Sequence, residues 1–287
     1  MKDIVDFLAE LNETGYARSY IGVFRSAISA YHDLIEGTRV GEHPIVRQLM
    51  AGVRVTRPAL DRFPIIWDID KVLRLLKSWG DTDQLSRRFL TWRTAALTAI
   101  STVTRADDVR SMSISGSHDL GDKMAFFLLK ARKGSDRKGL DNRSRGGEPR
   151  KKTQKPLIIY RYEKDPLLCP VTHLLEYMKV TGEVRGTENQ LFISTIRPFH
   201  RVTSETVGRW LKEVLKRAGI DITLFKGHSF RSATTSKAKV LGATVQEIVD
   251  RGDWKQESTW QNFYNKNIQT PKGLNFQNKV LSSAQEL

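Results

Sequence analysis

The segment from Phe89 to Val103 (FLTWRTAALTAISTV) places the strongest constraint on how this chain folds. Its apolar residues run around most of a helical circumference instead of forming one stripe, which predicts a helix buried on several sides. Other elements must therefore surround it. The next segment, TVTRADDVRSM, is polar and contains Arg105. The sequence thus predicts a central buried helix that delivers a guanidinium group to a polar turn.

Apolar periodicity divides the chain into a small helical domain at 1–56, a linker at 57–67 and a large domain at 68–287. The first domain has three apolar stripes at helical spacing: Ile4, Val5, Phe7, Leu8 and Leu11; Tyr20, Val23, Phe24, Ala27, Ile28, Tyr31 and Leu34; Ile45, Val46, Leu49, Met50 and Val53. About 55 residues is small for an independent domain, so an N-terminal helix is expected to be missing. Pro58 and Pro64 predict an extended, stiff linker, with an ordinary loop as the alternative.

The large domain predicts further helices and three strands, at Val109–Ser113, Met124–Leu129 and Pro156–Tyr162. Between the last two strands, residues 130–155 carry eleven Lys or Arg against three acids, together with four glycines. Such a segment is typical of a flexible basic hairpin. The predicted fold class is mainly α with a small antiparallel β-sheet (α+β).

The charge balance of the chain favours a polyanionic partner. Its 47 Lys and Arg outnumber 32 Asp and Glu, which gives a net charge of +15. Each neutralised phosphate releases counterions and strengthens binding, so nucleic acid is the first expectation. A basic soluble surface or a membrane-surface protein is the alternative.

Several classes of protein are disfavoured by the sequence. No apolar run approaches the roughly 20 residues that a membrane span needs, and the acidic N-terminus lacks a signal-peptide pattern. Cys169 is the only cysteine, so an internal disulfide and a cysteine metal cluster are excluded and a reducing compartment is expected. The six histidines show no metal-ligand spacing. We therefore expect neither a metal nor a cofactor.

The stretch KGHSFRSATTSKAKVLGATVQEIVDRGDWKQESTWQNFY, from Lys226 to Tyr264, concentrates groups suited to phosphodiester chemistry. His228 and Arg231 lie three residues apart at the start of a predicted helix, so their side chains leave from one face. Trp254 follows in a Gly-Asp-Trp turn, and Tyr264 ends an amphipathic segment. A guanidinium, an imidazole, an indole N–H and a phenol can hold a phosphodiester and attack it without a metal.

Phosphoryl transfer usually needs more than one cation, and Arg105 supplies the second. Asp107 and Asp108 in the same turn can orient its guanidinium for a bidentate phosphate contact. Structural explanations compete with these functional ones. Arg105 can be a solvated residue paired with either acid, Tyr264 a core aromatic, and Trp254 a packing anchor.

Taken in order, these segments resemble the tyrosine recombinase (phage-integrase) superfamily. The resemblance is carried by the Arg of TVTRADDV, the Lys of LLKARKG, and then GHSFR, GDW and NFY. Further phrases, among them HPIVRQLMAGV, LFISTIRP, GRWLKEVLKRAGID and DWKQESTWQNFY, resemble most closely the recombinases of DIRS/Ngaro-type retrotransposons. The likeness covers nearly the whole chain, and its specificity comes from the ordered set, since H-x-x-R alone is weak.

The resemblance implies a C-shaped clamp around duplex DNA, with a helical core-binding (SAM-like) domain and a catalytic domain of the DNA breaking-rejoining fold. It implies a site-specific recombinase or integrase of a mobile element. In such enzymes tyrosine attacks a phosphodiester, forms a 3′-phosphotyrosyl link and frees a 5′-hydroxyl. A 5′-hydroxyl from a partner strand then reverses the step, so no high-energy cofactor is consumed.

The resemblance also assigns roles to individual residues. Tyr264 is the nucleophile, and Arg105 and Arg231 stabilise its phenolate and the transition state. His228 exchanges a proton with the tyrosine. Trp254 occupies a position that is often histidine in the family. An indole can donate a hydrogen bond but cannot accept a proton, so His228 is left with more of the acid–base work.

The proton donor to the leaving oxygen is expected to be a hairpin lysine, Lys130, with Lys133 as the alternative. Other basic side chains are expected to contact DNA: Arg25, Arg57, Arg62, Lys133 and Lys226. Base-reading residues are not distinguishable, because backbone and base contacts both use Arg and Lys.

The expected partners are double-stranded DNA and further copies of the chain, from dimer to tetramer on DNA. No membrane and no small-molecule substrate are expected. The nucleus is the expected location in a eukaryote, and otherwise the cytoplasm with its nucleoid. Two alternatives share the same residues: a catalytically inactive DNA-binding or regulatory relative, and a type IB topoisomerase-like enzyme that relaxes DNA.

Overall fold

The chain folds into two units, Met1–Phe63 and Pro64–Leu287. The structure is a computed structural model, and it describes residues 1–56, 64–130 and 155–269. Most of the predicted basic hairpin, including Lys133, and both linker arginines, Arg57 and Arg62, lie outside the described residues.

The first unit contains three helices, α1 (Lys2–Glu13), α2 (Arg18–Tyr31) and α3 (Pro44–Thr56). The chain turns between α1 and α2 at Gly15, whose φ of 98° suits a residue without a Cβ. The core of the unit is formed by Leu8, Ile21, Val40, Val46 and Val53.

The apolar stripe predicted on α2 was partly wrong. Tyr20, Val23 and Tyr31 are exposed, and Tyr31 is 93% accessible. The inward face instead carries the fully buried Ile21, with Phe24 and Ile28 packed beside it. An α-helix rotates 100° per residue, so a row that begins one residue later faces a different direction.

The second unit is mainly helical with a small antiparallel sheet. Its helices are α4 (Ile69–Ser78), α5 (Arg87–Thr102), α6 (Ala106–Arg110), α7 (Pro170–Gly182), α8 (Ser204–Arg217), α9 (Ser229–Val240), α10 (Val245–Gly252) and α11 (Glu257–Phe263). Its strands are β1 (Ile65–Ile66), β2 (Met112–Asp119), β3 (Lys123–Leu128), β4 (Leu157–Tyr160) and β5 (Asn267–Ile268). Strands β2, β3 and β4 form the antiparallel sheet in that order, and β1 pairs with β5 in parallel.

Helix α5 lies at the centre of this unit, packed against α7, α8, α9 and β4. Every residue from Leu90 to Ala99 is buried. This burial was predicted from the apolar residues that run around most of the helix. A buried threonine hydroxyl can donate to the backbone carbonyl one turn earlier in the same helix. The Thr94 hydroxyl donates in this way to the Leu90 carbonyl at 2.7 Å. At Thr94 and Thr102 the central helix thus satisfies its own buried hydroxyls.

The strand predicted at Val109–Ser113 begins too early. Val109 lies in the short helix α6, and β2 starts at Met112. The cause is local: the Asp108 carboxylate accepts a hydrogen bond from the backbone N–H of Arg105 at 3.2 Å. This contact closes a helical turn before the strand can start.

Helix starts in the second unit follow the capping residues in the sequence. Asp68 accepts from the Asp70 N–H, and Thr203 accepts from the Thr206 N–H. Thr244 and Glu247 form a reciprocal capping box at α10.

The turn before α9 crosses α8 at two glycines. A Cβ added to Gly227 would lie 2.7 Å from the Gly208 carbonyl oxygen and 3.2 Å from the Leu211 Cβ. A Cβ added to Gly208 would meet nothing within 4 Å. The start of α9 can therefore approach α8 only because residue 227 has no side chain.

Gly227→Ala should lower the free energy of unfolding by about 1–3 kcal/mol, because the new methyl meets backbone atoms that cannot move aside. Gly208→Ala is the matched control and should be neutral or stabilising by up to about 1 kcal/mol, since it adds a helix-favouring residue in open space. Urea unfolding followed by tryptophan fluorescence measures both. Equal midpoints for Gly227→Ala and the unmodified chain would contradict the close approach.

Candidate active site

Arg231 is the centre of the candidate site. It lies in the first turn of α9 and is only 4% exposed. Its guanidinium carbon lies 4.1 Å from the centroid of the Trp254 ring and 5.1 Å from that of Tyr264. It also donates a hydrogen bond to the backbone carbonyl of Gly252. The site therefore contains a buried cation held between two aromatic rings and a main-chain carbonyl.

Trp254 is fixed by the end of α10. Asp253 adopts the left-handed conformation at φ 53° and turns the chain, and the indole then packs directly on Gly252. A Cβ at residue 252 would lie 1.9 Å from the Trp254 Cζ3 atom, so only glycine fits there. The indole N–H is buried and has no hydrogen-bond partner among the described residues. In this arrangement Trp254 is a packing surface for Arg231 and Tyr264.

Tyr264 follows the last residue of α11 and is half-buried. Its ring centroid lies 4.8 Å from that of Trp254, with the planes tilted by 47°. Its backbone N–H donates to the Trp260 carbonyl at 2.8 Å. The ring of Tyr264, the predicted nucleophile, thus lies against the Arg231 guanidinium and the Trp254 ring.

Arg105 is delivered by the end of the central helix. Val103 ends α5 in the left-handed conformation at φ 53°, unusual for a β-branched residue. It is held there by a small apolar cluster that includes Ile248, Trp254 and Trp260. Arg105 itself is exposed and begins α6. The same cluster therefore connects the Arg105 turn to the tryptophan that packs on Arg231.

The two guanidinium groups influence one another electrostatically. Burial lowers the pKa of Arg231, and the positive charge of Arg105 lowers it further, to about 10. Tyr264, Asp108 and Asp253 act in the opposite direction. Arg231 remains a cation at neutral pH, but its charge is incompletely compensated, which is the electrostatic condition for binding an anion.

His228 precedes α9 and is exposed. Loss of water around part of its ring holds the pKa of His228 below its ordinary value of 6.5, and the charges of Lys226 and Lys266 act in the same direction. At pH 7 the imidazole is therefore mostly neutral. A neutral imidazole can accept a proton, as a general base must.

Lys130 lies just after β3, with its Nζ atom 3.7 Å from the Asp107 Oδ2 atom. Its side chain is 65% exposed and that of Asp107 is 42% exposed. Asp107 also accepts a hydrogen bond from Arg110 at 2.7 Å. The predicted alternative, Lys133, lies outside the described residues, so the structure does not choose between the two lysines.

The remaining predicted DNA contacts are found in different places. Lys226 is exposed two residues before His228. Arg25 lies on α2 of the first unit and is half-buried, and its Nε atom is inaccessible to solvent. Arg57 and Arg62 are outside the described residues.

Two contributors were missed by the sequence analysis. Lys266 places its charge near His228, and Ser236 contacts the backbone on either side of residue 265. Lys266 lies two residues after Tyr264, so proximity along the chain was the available signal. Ser236 has no such signal, because it meets this segment only in the folded chain.

No group of three His, Cys, Asp or Glu residues in the described part of the chain is arranged to hold a metal ion. No helix among residues 1–56, 64–130 and 155–269 is long and apolar enough to cross a membrane.

Comparison with solved structures identifies the fold. No protein-family model matches the sequence, and no curated protein matches it. The XerH site-specific recombinase bound to palindromic difH substrate is similar at a TM-score of 0.57 and 11% identity, over 99% of this chain and 70% of that one. The Tn1549 transposon integrase in complex with transposon right end DNA gives 0.57 and 12%, over 99% and 84%.

A lambda integrase dimer bound to a COC′ core site is also similar, at a TM-score of 0.51 and 15% identity, over 96% of this chain and 81% of that one. Likeness at such low identity shows the fold alone. The chain has the mainly helical fold, with a small antiparallel sheet, of the tyrosine recombinases.

The electrostatics of His228 give a testable pH dependence. The His228 imidazole should titrate below 6.5, and Lys226→Met should raise its pKa by removing a nearby positive charge. NMR titration of the imidazole C2–H resonance, assigned with His228→Gln, measures this. Lys179→Met is the control, because the charge of Lys179 is not among those acting on His228. An unchanged midpoint in Lys226→Met would contradict the arrangement.

Proposed function

We propose that this protein is a site-specific DNA recombinase or integrase of a mobile element, related most closely to DIRS/Ngaro-type recombinases. It cleaves and rejoins DNA through a 3′-phosphotyrosyl intermediate. One observation carries the proposal: Arg231 is a buried cation, packed on the Trp254 and Tyr264 rings and hydrogen-bonded to the Gly252 carbonyl. The fold of known recombinases supports the same reading.

A DNA phosphate is the anion that best suits Arg231. Burying a guanidinium is costly, and the cost grows with the charge of Arg105 nearby. A phosphodiester carries one negative charge and two free oxygens, which match a planar fork of N–H donors. The net charge of +15 favours a nucleic acid as the source of that phosphate.

The proposed reaction assigns the nucleophile to Tyr264 and the general base to His228. The tyrosine hydroxyl loses its proton to the neutral imidazole, and the phenolate oxygen attacks phosphorus. The bond from phosphorus to the 5′-oxygen breaks while the bond to the tyrosine oxygen forms. Arg105 and Arg231 neutralise the charge that accumulates on the non-bridging oxygens in the transition state.

The leaving 5′-oxygen takes a proton from a lysine, Lys130 or Lys133. A 5′-hydroxyl from a partner strand can then attack the phosphotyrosyl ester, which restores the phenol. One phosphate ester replaces another in each direction, so the bond energy is conserved.

Trp254 supports the nucleophile by packing. Its ring contacts both Arg231 and Tyr264, and its buried N–H has no partner among the described residues. An indole cannot exchange protons, so the proton of the tyrosine passes through His228.

The substrate is double-stranded DNA, and the active assembly is a dimer to tetramer of this chain. The first unit serves as the core-binding domain and the second as the catalytic domain. We place the protein in the nucleus if its host is a eukaryote, and otherwise with the nucleoid.

Tyr264→Phe should abolish the covalent adduct with a nicked DNA substrate and leave DNA binding intact, because it removes only the attacking oxygen. A denaturing gel detects the adduct, and gel-shift titration measures binding. Tyr162→Phe, a change at an exposed tyrosine, is the control and should react like the unmodified chain. Adduct formation by Tyr264→Phe would refute the nucleophile. Binding without any adduct from the unmodified chain would favour the inactive relative.

Arg231→Lys should slow single-turnover cleavage by about 10²–10³-fold, because an ammonium cannot reproduce the planar fork that meets the transition state. Arg185→Lys is the matched control. Arg185 is a second partly buried guanidinium that donates to main-chain carbonyls, at Gln190 and Leu191, and its loss should affect stability without slowing cleavage. Cleavage by Arg231→Lys at the unmodified rate would argue against an electrostatic role.

A further inference from the structure

Ser236 makes a contact that neither the sequence analysis nor the proposed reaction explains. It lies on α9, five residues after Arg231, and is 2% exposed. Its hydroxyl donates to the backbone carbonyl of Tyr264 at 3.1 Å and accepts the backbone N–H of Lys266 at 3.0 Å. One buried hydroxyl thus uses both its donor and its acceptor capacity on the segment that carries the phenol.

We propose that Ser236 is a positioning residue that holds Tyr264 in the site formed by the same copy of the chain. The inference rests on the proposed function, in which Tyr264 is the nucleophile. Ser236 does not touch the reacting atoms. It acts on the main chain from which the tyrosine side chain projects, and it does so from the helix that carries Arg231.

The reason such a contact matters is geometric. Attack requires the phenol oxygen to lie about 3–3.5 Å from phosphorus and in line with the leaving oxygen. The phosphate is held by cations whose positions are set by α9 and by the end of α5. A hydroxyl that ties residues 264 and 266 to α9 therefore fixes nucleophile and phosphate in one frame. A displacement of 1 Å costs about 10²-fold in rate.

The chain on both sides of the tyrosine is tied to the same unit. Before it, the Tyr264 N–H bonds the Trp260 carbonyl at 2.8 Å. After it, β5 pairs with β1, and the Asn267 N–H donates to the Pro64 carbonyl at 3.0 Å. Trp67, which follows β1, donates to the Ser229 hydroxyl at 2.8 Å at the start of α9.

These connections form a closed path from α9 through Ser236 to the tyrosine segment, then through β5 and β1 to Trp67, and back to α9. To reach the cations of another copy, the phenol would have to leave the Arg231 guanidinium and the Trp254 ring, and its segment would have to break the Ser236 contacts. The site is therefore complete within one copy.

The first test removes the hydroxyl. Ser236→Ala should slow single-turnover adduct formation at saturating nicked DNA by about 10²-fold, while the dissociation constant for DNA changes by less than about twofold. Ser236→Thr keeps a hydroxyl and should recover most of the rate. Ser232→Ala is the control, because Ser232 is a buried serine on the same helix whose hydroxyl bonds neither residue 264 nor residue 266.

The outcomes separate the inference from the function it rests on. If the unmodified chain forms no adduct, both the proposed function and this inference are refuted. An active unmodified chain with a fully active Ser236→Ala overturns the inference alone. Equal losses in Ser236→Ala and Ser236→Thr also overturn it, because the loss would then not depend on the hydroxyl.

The second test does not require any change at Ser236. Tyr264→Phe has the cations without the nucleophile, and Arg231→Ala has the nucleophile without its cation. If the tyrosine acts within its own copy, a mixture of the two on duplex DNA should form no more adduct than either alone. The unmodified chain mixed with Tyr264→Phe is the positive control. Adduct restored by mixing the two variants would show exchange between copies and overturn the inference.

Discussion

The placement of a positive charge inside the second unit, at Arg231, is the constraint on which the rest of the site depends. Its guanidinium is enclosed by the Trp254 and Tyr264 rings and bonded to the Gly252 carbonyl. Removing a charge of this kind from water costs several kcal/mol after relaxation. Ring faces, the Gly252 carbonyl dipole and the charges of Asp108 and Asp253 offset part of that cost, and the nearby Arg105 adds to it. In the proposed function, the folded chain accepts this cost in order to present a cation to an anion.

That arrangement explains why the surrounding elements have such restricted sequences. Gly252 must be glycine because the Trp254 ring occupies the place of its side chain. Val103 accepts a left-handed backbone, and the cluster of Ile248, Val249, Trp254 and Trp260 buries its side chain there. The apolar cluster thus sets both the position of Trp254, under Arg231, and the turn that presents Arg105. Packing and electrostatics thus meet in one small region of the second unit.

The sequence allowed the elements to be predicted better than their junctions. The central helix depends on the distribution of apolar residues along the chain, which a sequence displays directly. The start of β2 was misplaced because the Asp108 carboxylate closes a helical turn that strand propensity does not anticipate. Ser236 was missed for a different reason. Its partners lie 28 and 30 residues away, and no period in the sequence connects a mid-helix serine to a distant backbone.

The two halves of the proposed reaction differ in how firmly their groups are held. Arg231 and Tyr264 are held by ring packing and main-chain hydrogen bonds, whereas Arg105 and His228 are exposed. Lys130, which would serve the leaving oxygen, is 65% exposed, and its contact with Asp107 is 3.7 Å long. An exposed ion pair of this kind contributes between about 0 and 1 kcal/mol, so it does little to hold the lysine in place. A DNA phosphate or leaving oxygen can therefore compete with Asp107 for the ammonium group, whereas nothing comparable is needed to order Arg231. Arg231, the proposed phosphate-binding cation, is thus ordered by the folded chain itself, whereas the side chain of Lys130 is largely exposed.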